Sequence, residues 1–393
     1  MGSRPANAGL QMAIVVAATF LGFLGIGAIL PVLGPHVKKD LGQSDVVLGF
    51  AIGVFSVVAL ASRLISGPVT DRRGRKYSYT MGLALCSVAG VAYLLPFGIW
   101  AVFAGRLLQG AGEAFLFTGA AAWIVELGGE DRQARSLGWL SSGIWGGLSV
   151  GPVIGQLLGT YDSAAWMLAL TPWPAIAALR FVPEHYTPPA VRERTSWIPR
   201  GAILPGLTLG FVNLHYPAVV GFLVLHLASS GNIGGTAVSV YAGMILLSRF
   251  FLGGLPDKLS PAITFYAGVG MMTTGLLITA AQPPAPIALA AAALVGFGFS
   301  FPWPSIATTV LKRAHPAERA ATLGAVSAFV DAFVGASAFL SGKIANSYGY
   351  PAVYLFVSAG VAVSAVLAHG YLKEPAERAE SPVSQPTLYN ENG

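Results

Sequence analysis

Residues Ser62 to Lys76 read SRLISGPVTDRRGRK, an apolar segment that runs into a compact group of cations. The stretch has an echo at Ser248, where the chain reads SRFFLGGLPDK. Ser62 and Ser248, Arg63 and Arg249, Gly67 and Gly253, Asp71 and Asp257, and the cations Arg72 and Lys258 all match at one offset of 186 residues. The same offset pairs Pro31 with Pro217, Gly82 with Gly268, Gly110 with Gly296, Gly112 with Gly298, Leu137 with Leu323 and Gly138 with Gly324. A register kept without a gap from Pro31 to Gly138 points to two related halves.

Around this repeat the composition is that of a membrane protein. Of 393 residues 54% are hydrophobic and only 10% charged, against roughly a quarter charged in a soluble globular chain, and mean hydropathy is +0.66. Charge-free runs from Pro5 to Val37, Tyr77 to Gly105, Gly201 to Ser248, Leu259 to Leu311 and Ile344 to Leu372 exceed the ~20 residues of a spanning helix, and the longest hold two spans each. Strand-like alternation is absent, so helices are the spanning solution that satisfies the backbone. The single cysteine, Cys86, excludes a disulfide framework and any multi-cysteine metal site, and reads as inert packing. The first apolar run lacks a small-residue cleavage site and reads as a retained span.

The expected fold is all-α: twelve transmembrane helices in two pseudo-symmetric six-helix halves, at residues 11–34, 46–69, 77–96, 99–125, 136–159, 164–182, 201–226, 236–255, 261–281, 286–311, 320–342 and 350–372. The first half covers residues 1–182, a polar, proline-bearing cytoplasmic linker 183–199, the second half 200–373 and a disordered cytoplasmic tail 374–393. With both termini cytoplasmic, the inner loops and tails hold Arg4, the cations of Arg72 to Lys76, Arg132, Arg135, Arg180, Arg192, Arg194, Arg200, Lys258, Lys312, Arg313, Arg319, Lys373 and Arg378, against Lys38, Lys39 and Lys343 outside. The positive-inside bias sets this orientation in the cytoplasmic membrane. The net charge of +6 then follows from loops facing an anionic leaflet and needs no nucleic-acid partner.

The motifs carry a resemblance. Gly67, Asp71, Arg72, Gly74, Arg75 and Lys76 match the signature between helices 2 and 3 of the major facilitator superfamily, which the chain resembles over residues 10 to 373. Arg106, Gln109, Gly110 and Gly112 match its helix 4 pattern. Gly147, Gly151, Pro152 and Gly155 match the helix 5 pattern associated with exporters, with Gln156 standing where a second glycine is usual. The resemblance implies a twelve-helix secondary transporter similar to the proton-coupled drug and metabolite efflux antiporters. It also implies that the loop signature latches the halves closed on the cytoplasmic side.

The residues themselves support several roles. Gly67 and Gly74 permit close approach and tight turning, and Asp71 can meet a helix N-terminus that carries about half a positive charge. Arg63, Asp71 and Asp257 therefore join the gating candidates, although the cations serve topology equally well and Arg63 can simply snorkel. Gly143, Gly147, Gly151 and Gly155 form a small-residue stripe on helix 5, bent at Pro152, which suits either tight packing or a rocking hinge. Glu113 and Arg106 lie on nearly one face of helix 4, about 10 Å apart along the axis. Asp331 falls at the centre of helix 11, and Asn213, His215 and Tyr216 at the centre of helix 7. Each ionisable group there costs at least ~2.5–3.5 kcal/mol unless hydrated or paired. At the repeat offset Arg106 maps to Ala292, Glu113 to Phe299, Asp331 to Trp145 and His215 to Ile29, so these groups are private to one half and are the candidates for chemistry. Glu113 also fits a protonated packing carboxyl, Asp331 a permanent partner of Arg106, and His215 a ligand of a backbone carbonyl freed by Pro217. Glu126 lies near the cytoplasmic interface. Phe299, Phe301 and Trp303 beside Pro302 and Pro304, with Trp145 and Gln109, complete the substrate-binding candidates, though aromatic stripes also pack.

Taken together, Glu113, Asp331 and Arg106 are expected to couple protons to export of a small, amphipathic organic molecule by antiport with alternating access. Uptake by proton symport is the alternative within transport, and a sensor or lipid translocase the alternative outside it. No Walker-type loop is present to use ATP, so the proton gradient drives the cycle and no cofactor is expected. No HExxH, nucleophile elbow or histidine pair at metal spacing supports an enzyme. The partners expected are the substrate, protons and the lipid bilayer, with the chain a monomer.

Overall fold

The computed structural model describes residues 8–129, 133–184, 199–228, 230, 233–252, 259–314 and 319–373. The linker from His185 to Ile198, the tail beyond Lys373, and Gly253, Asp257 and Lys258 lie outside them. Every regular element among the described residues is helical. The first half holds α1 (Ala8–Ala28), α2 (Leu30–Pro35) with a π turn His36–Asp40, α3 (Asp45–Arg73), α4 (Arg75–Tyr93), α5 (Ile99–Gly128), α6 (Gln133–Leu158), α7 (Tyr161–Leu170) and α8 (Pro172–Leu179). The second holds α9 (Ile203–Asn213), α10 (His215–Pro217), a π turn Ala218–Phe222, α11 (Leu223–His226), α12 (Gly234–Leu252), α13 (Pro261–Ala280), α14 (Ala285–Phe299), α15 (Pro302–Arg313), α16 (Arg319–Tyr348) and α17 (Tyr350–Lys373).

Seven helical stretches cross a membrane by length and composition, and α4, α5, α6, the α7–α8 pair and α12 complete twelve. Local chemistry sets the boundaries. Ser44, Thr160 and Ser260 cap α3, α7 and α13 by accepting the N–H of Val47, Ser163 and Ile263. Pro172 starts α8 and divides the sixth span, which runs 161–179 and not 164–182 as expected. The seventh span is interrupted around Pro217, and the tenth between Phe299 and Pro302. Leu157, Phe181 and Phe251 are exposed, the apolar exterior that lipid requires.

The repeat is visible in the packing. Within the first half α1 packs on α6, α3 on α5 and α4 on α5; the second half repeats these as α9 on α16, α12 on α14 and α13 on α14. Two glycine pairs at the repeat offset explain the last match. A Cβ on Gly82 would meet Gly112 O at 2.7 Å, and one on Gly268 would meet Gly298 O at 2.7 Å, so only glycine admits these backbones. The halves meet along α3 with α16 and, symmetrically, α6 with α12.

At the end away from the loop cations the halves are drawn tight. A Cβ on Gly49 would meet Ala338 O at 2.6 Å and Gly342 Cα at 3.0 Å, and one on Gly34 would meet Gly221 O at 2.6 Å. Asp45, at the start of α3, accepts from Lys38 Nζ at 2.9 Å and from Tyr350 Oη of the other half at 2.9 Å. Toward the cation-rich end, Gly67, Gly138 and Gly324 have nothing within 4 Å of an added Cβ.

Candidate functional site

Arg63 lies two to three turns inside α3 from the loop cations, where the two halves meet. Its Nη2 is 3.4 Å from Glu113 Oε1 on α5, and its Nε is 2.9 Å from Asp331 Oδ2 on α16. The Asp331 contact is a close ion pair without hydrogen-bond alignment, since neither atom finds a hydrogen-bond partner. Phe117 flanks the guanidinium, 4.8 Å from its ring centroid. The three side chains are only 19%, 12% and 22% exposed, so water screens them weakly. One acid comes from each half and a single cation touches both.

Arg106 does not fill that place. Its Nε donates to Ala51 O at 2.9 Å, its Nη2 to Ile52 O at 3.1 Å and its Nη1 to Gln109 Oε1 at 3.0 Å, while Phe55 lies 4.6 Å beneath it. Carbonyls of α3 consume its donors, so it pairs with neither acid. Gln109 is fully buried, and its Oε1 also accepts from Tyr93 Oη at 2.6 Å. This leaves its carbonyl committed to packing and no surface for substrate.

The aromatic candidates separate into groups. Trp145 of α6 and Phe299 of α14 meet edge to face at 5.5 Å, and His215 packs on Phe299 at 4.8 Å. Both His215 ring nitrogens are occupied, Nδ1 by Val212 O at 2.8 Å and Nε2 by Tyr241 Oη at 3.0 Å, and the ring is fully buried. His215 is thus a backbone-bound core residue, on Val212's carbonyl. Asn213 is buried and donates back to Leu209 O at 2.8 Å. Phe301 is buried against Phe297, while Tyr216 and Trp303 are half-buried.

Sequence reasoning missed Arg249, which it treated only as an echo of Arg63. Its guanidinium lies 4.4 Å from the centroid of Trp145 across the halves, and Nη1 is 3.5 Å from Ser141 Oγ. Its Nε and Nη2 are buried without a hydrogen-bond partner. The offset that matched Arg249 to Arg63 was the available signal, read as architecture.

The contacts described for Arg75 and Lys76 of the loop signature lie within the first half. Gly74 separates α3 from α4 with φ of +96°, a conformation that favours glycine. Glu184 places a carboxylate at the N-terminus of α4, accepting the N–H of Arg75 and, at 3.2 Å, of Lys76. Lys76 Nζ donates to Val182 O at 3.0 Å and Arg75 pairs with Glu126, so these two cations bind elements of their own half. Arg72 is exposed. Gly67 makes no close approach here, because nothing lies within 4 Å of its added Cβ. On α6 the stripe faces α1: Cβ atoms on Gly143, Gly147 and Gly151 would meet Val16 O, Phe20 O and Leu24 O at 2.7, 2.6 and 2.6 Å, and Gly155 abuts Ala28. Helix α6 is continuous through Pro152. The stripe therefore packs α6 closely on α1 within one half.

Comparisons with known proteins agree with this architecture. The Major Facilitator Superfamily profile matches residues 15–212 and 202–389. An uncharacterised MFS-type transporter of Salmonella typhimurium is 28% identical over 382 residues, covering 92% of this chain and 96% of its own. One from Burkholderia mallei is 31% identical over 378 residues, covering 91% and 92%. Among solved structures, the nucleoside transporter NupG superposes with a TM-score of 0.73 at 15% identity, over 93% of this chain and 100% of that one. A bacterial homolog of the human lysosomal transporter Spinster, in an inward-facing and occupied conformation, gives 0.72 at 13% identity, over 94% and 97%. Both likenesses are of fold. With a profile matching each half in turn and relatives aligned from end to end, the chain is a membrane transporter that belongs to the Major Facilitator Superfamily.

Proposed function

We propose that the protein exports a small, amphipathic organic molecule in exchange for protons, rocking its halves about a site at mid-membrane. The observation that carries this reading is Arg63 held between Glu113 and Asp331. One guanidinium balances one carboxylate. The other needs a proton or stays uncompensated where an unpaired charge costs ~2.5–3.5 kcal/mol. Because the acids belong to opposite halves, any rocking that draws α3 from α16 alters which acid Arg63 neutralises, and so ties proton uptake and release to the conformational cycle. Both termini face the cytoplasm in this reading, with the cation-rich loops.

Compounds that raise the melting temperature of the purified protein supply cargo for the test. In proteoliposomes with an imposed pH gradient, antiport predicts cargo moving against the proton flow. Movement with the proton flow would make the protein an uptake symporter, and indifference to the gradient would remove proton coupling. Glu113→Gln and Asp331→Asn are expected to abolish gradient-driven accumulation while sparing cargo binding and downhill exchange.

A further inference from the structure

The two halves place different chemistry at equivalent positions. At the offset of 186, Arg63 corresponds to Arg249, Glu113 to Phe299 and Asp331 to Trp145. The structure keeps this correspondence in space. Arg63 contacts Asp331 where α3 meets α16, with Glu113 beside it. Arg249 lies 4.4 Å over Trp145 where α12 meets α6, with Phe299 edge-on to that ring at 5.5 Å. One frame therefore holds an arginine between two carboxylates on one side and, on the other, over an aromatic ring that a second ring packs against.

The second arrangement is electrically incomplete. A guanidinium does not lose its charge in a protein, and its buried N–H groups need acceptors. Among the described residues no carboxylate lies within ion-pair distance of Arg249, and its single hydrogen bond, to Ser141 Oγ, is long at 3.5 Å. The face of Trp145 attracts the cation but accepts none of the in-plane N–H bonds. The unmet donors are Nε and Nη2. These two share one edge of the planar group, the edge that grips a carboxylate with two parallel bonds.

We propose that Arg249 is the anion-binding group of the cargo site, taking the carboxylate of an organic anion whose apolar part lies against Trp145 and Phe299. The assignment names the cargo class of the transporter proposed above and rests on that reading. A monoanion is favoured because one unpaired guanidinium offers one positive charge. The site also explains the aromatic replacements: where the first half's arginine meets fixed acids, the second half's meets surfaces on which a removable acid can stack. Bound cargo and Arg249 form a neutral pair, so the occupied site holds no uncompensated charge at mid-membrane.

Binding to the purified protein in detergent tests this without transport. The probes are 1-naphthoate, indole-3-acetate and 4-phenylbutyrate, each with its carboxamide, together with sodium chloride and sodium sulfate. The carboxylates are expected to raise the melting temperature and bind at least about tenfold more tightly than the amides. Arg249→Gln should erase that preference. Arg249→Lys, which keeps the charge without the fork, should retain a reduced preference and covers the case of a glutamine variant that does not fold. Trp145→Ala should weaken naphthoate more than phenylbutyrate. Amides that bind as well as acids, a preference that survives Arg249→Gln, stabilisation by chloride or sulfate alone, or no response to any probe would each overturn the assignment. Coupling is read separately: carboxylate binding with no response to a pH gradient sinks the proton reading and leaves this one standing.

Discussion

Removing Arg63 would leave Glu113 and Asp331 facing each other across the halves with no cation between them. Breaking a buried ion pair from one side costs about 3–5 kcal/mol, mostly the penalty of the charge left behind. Arg63→Ala is accordingly expected to lower the melting temperature strongly, and the triple variant that adds Glu113→Gln and Asp331→Asn to recover most of the loss. Thermal unfolding in detergent reads both, and equal melting of single and triple variants would show that the acids do not feel the guanidinium. The acids themselves are legible in the sequence, because a carboxylate inside an apolar span is costly and stands out. Their cation is not. Arg63 sits close enough to Arg72 and Arg73 along the chain to read as part of the loop, and only the approach of α16 shows which acid it meets. Arg106 misleads for a related reason: its partners are the carbonyls of Ala51 and Ile52, and backbone acceptors on a neighbouring helix leave no mark in composition.

Helices α1 and α6 touch backbone to backbone, and this is where an added side chain does most harm. Gly147→Leu places its Cβ 2.6 Å from Phe20 O and 2.7 Å from Leu24 N, so the helices must separate, at a cost of about 1–3 kcal/mol or more. Gly67→Leu enters open space and is expected to leave unfolding within roughly 0.5 kcal/mol of the wild type. Its effect should appear in turnover, since closure of the cation-rich end brings other groups toward that face. Similar destabilisation by the two would refute the distinction between a welded pair and an open face. Helix placement reads well from apolar length, and the breaks follow proline chemistry at Pro172, Pro217 and Pro302. What the sequence leaves open is which surface a glycine stripe meets, because Gly143 to Gly155 would serve a hinge and a weld equally.

For the molecule as a whole, the contacts between halves are concentrated at one end, and Tyr350 is a specific tie there. Its Oη donates to Asp45 across the halves, a bond to a charged group worth about 1.5–3 kcal/mol. Tyr350→Phe should shift the population toward opening of that end by at least about tenfold, which spin-label distances between the starts of α3 and α17 can follow. An unchanged distance distribution would mean the glycine contacts alone hold the seal. Which end is closed is not written in the sequence, since both arrangements use the same apolar spans and the same repeat. The contact of Glu184 with the N-terminus of α4 has a consequence for how the halves are strung together. It fixes the departure point of the chain between them at the α3–α4 turn, and from there to Pro199 fifteen peptide steps remain. The start of the connection is thus moored to the signature loop, so Glu184→Gln should loosen the first turn of α4 and the departure of the chain from the first half together.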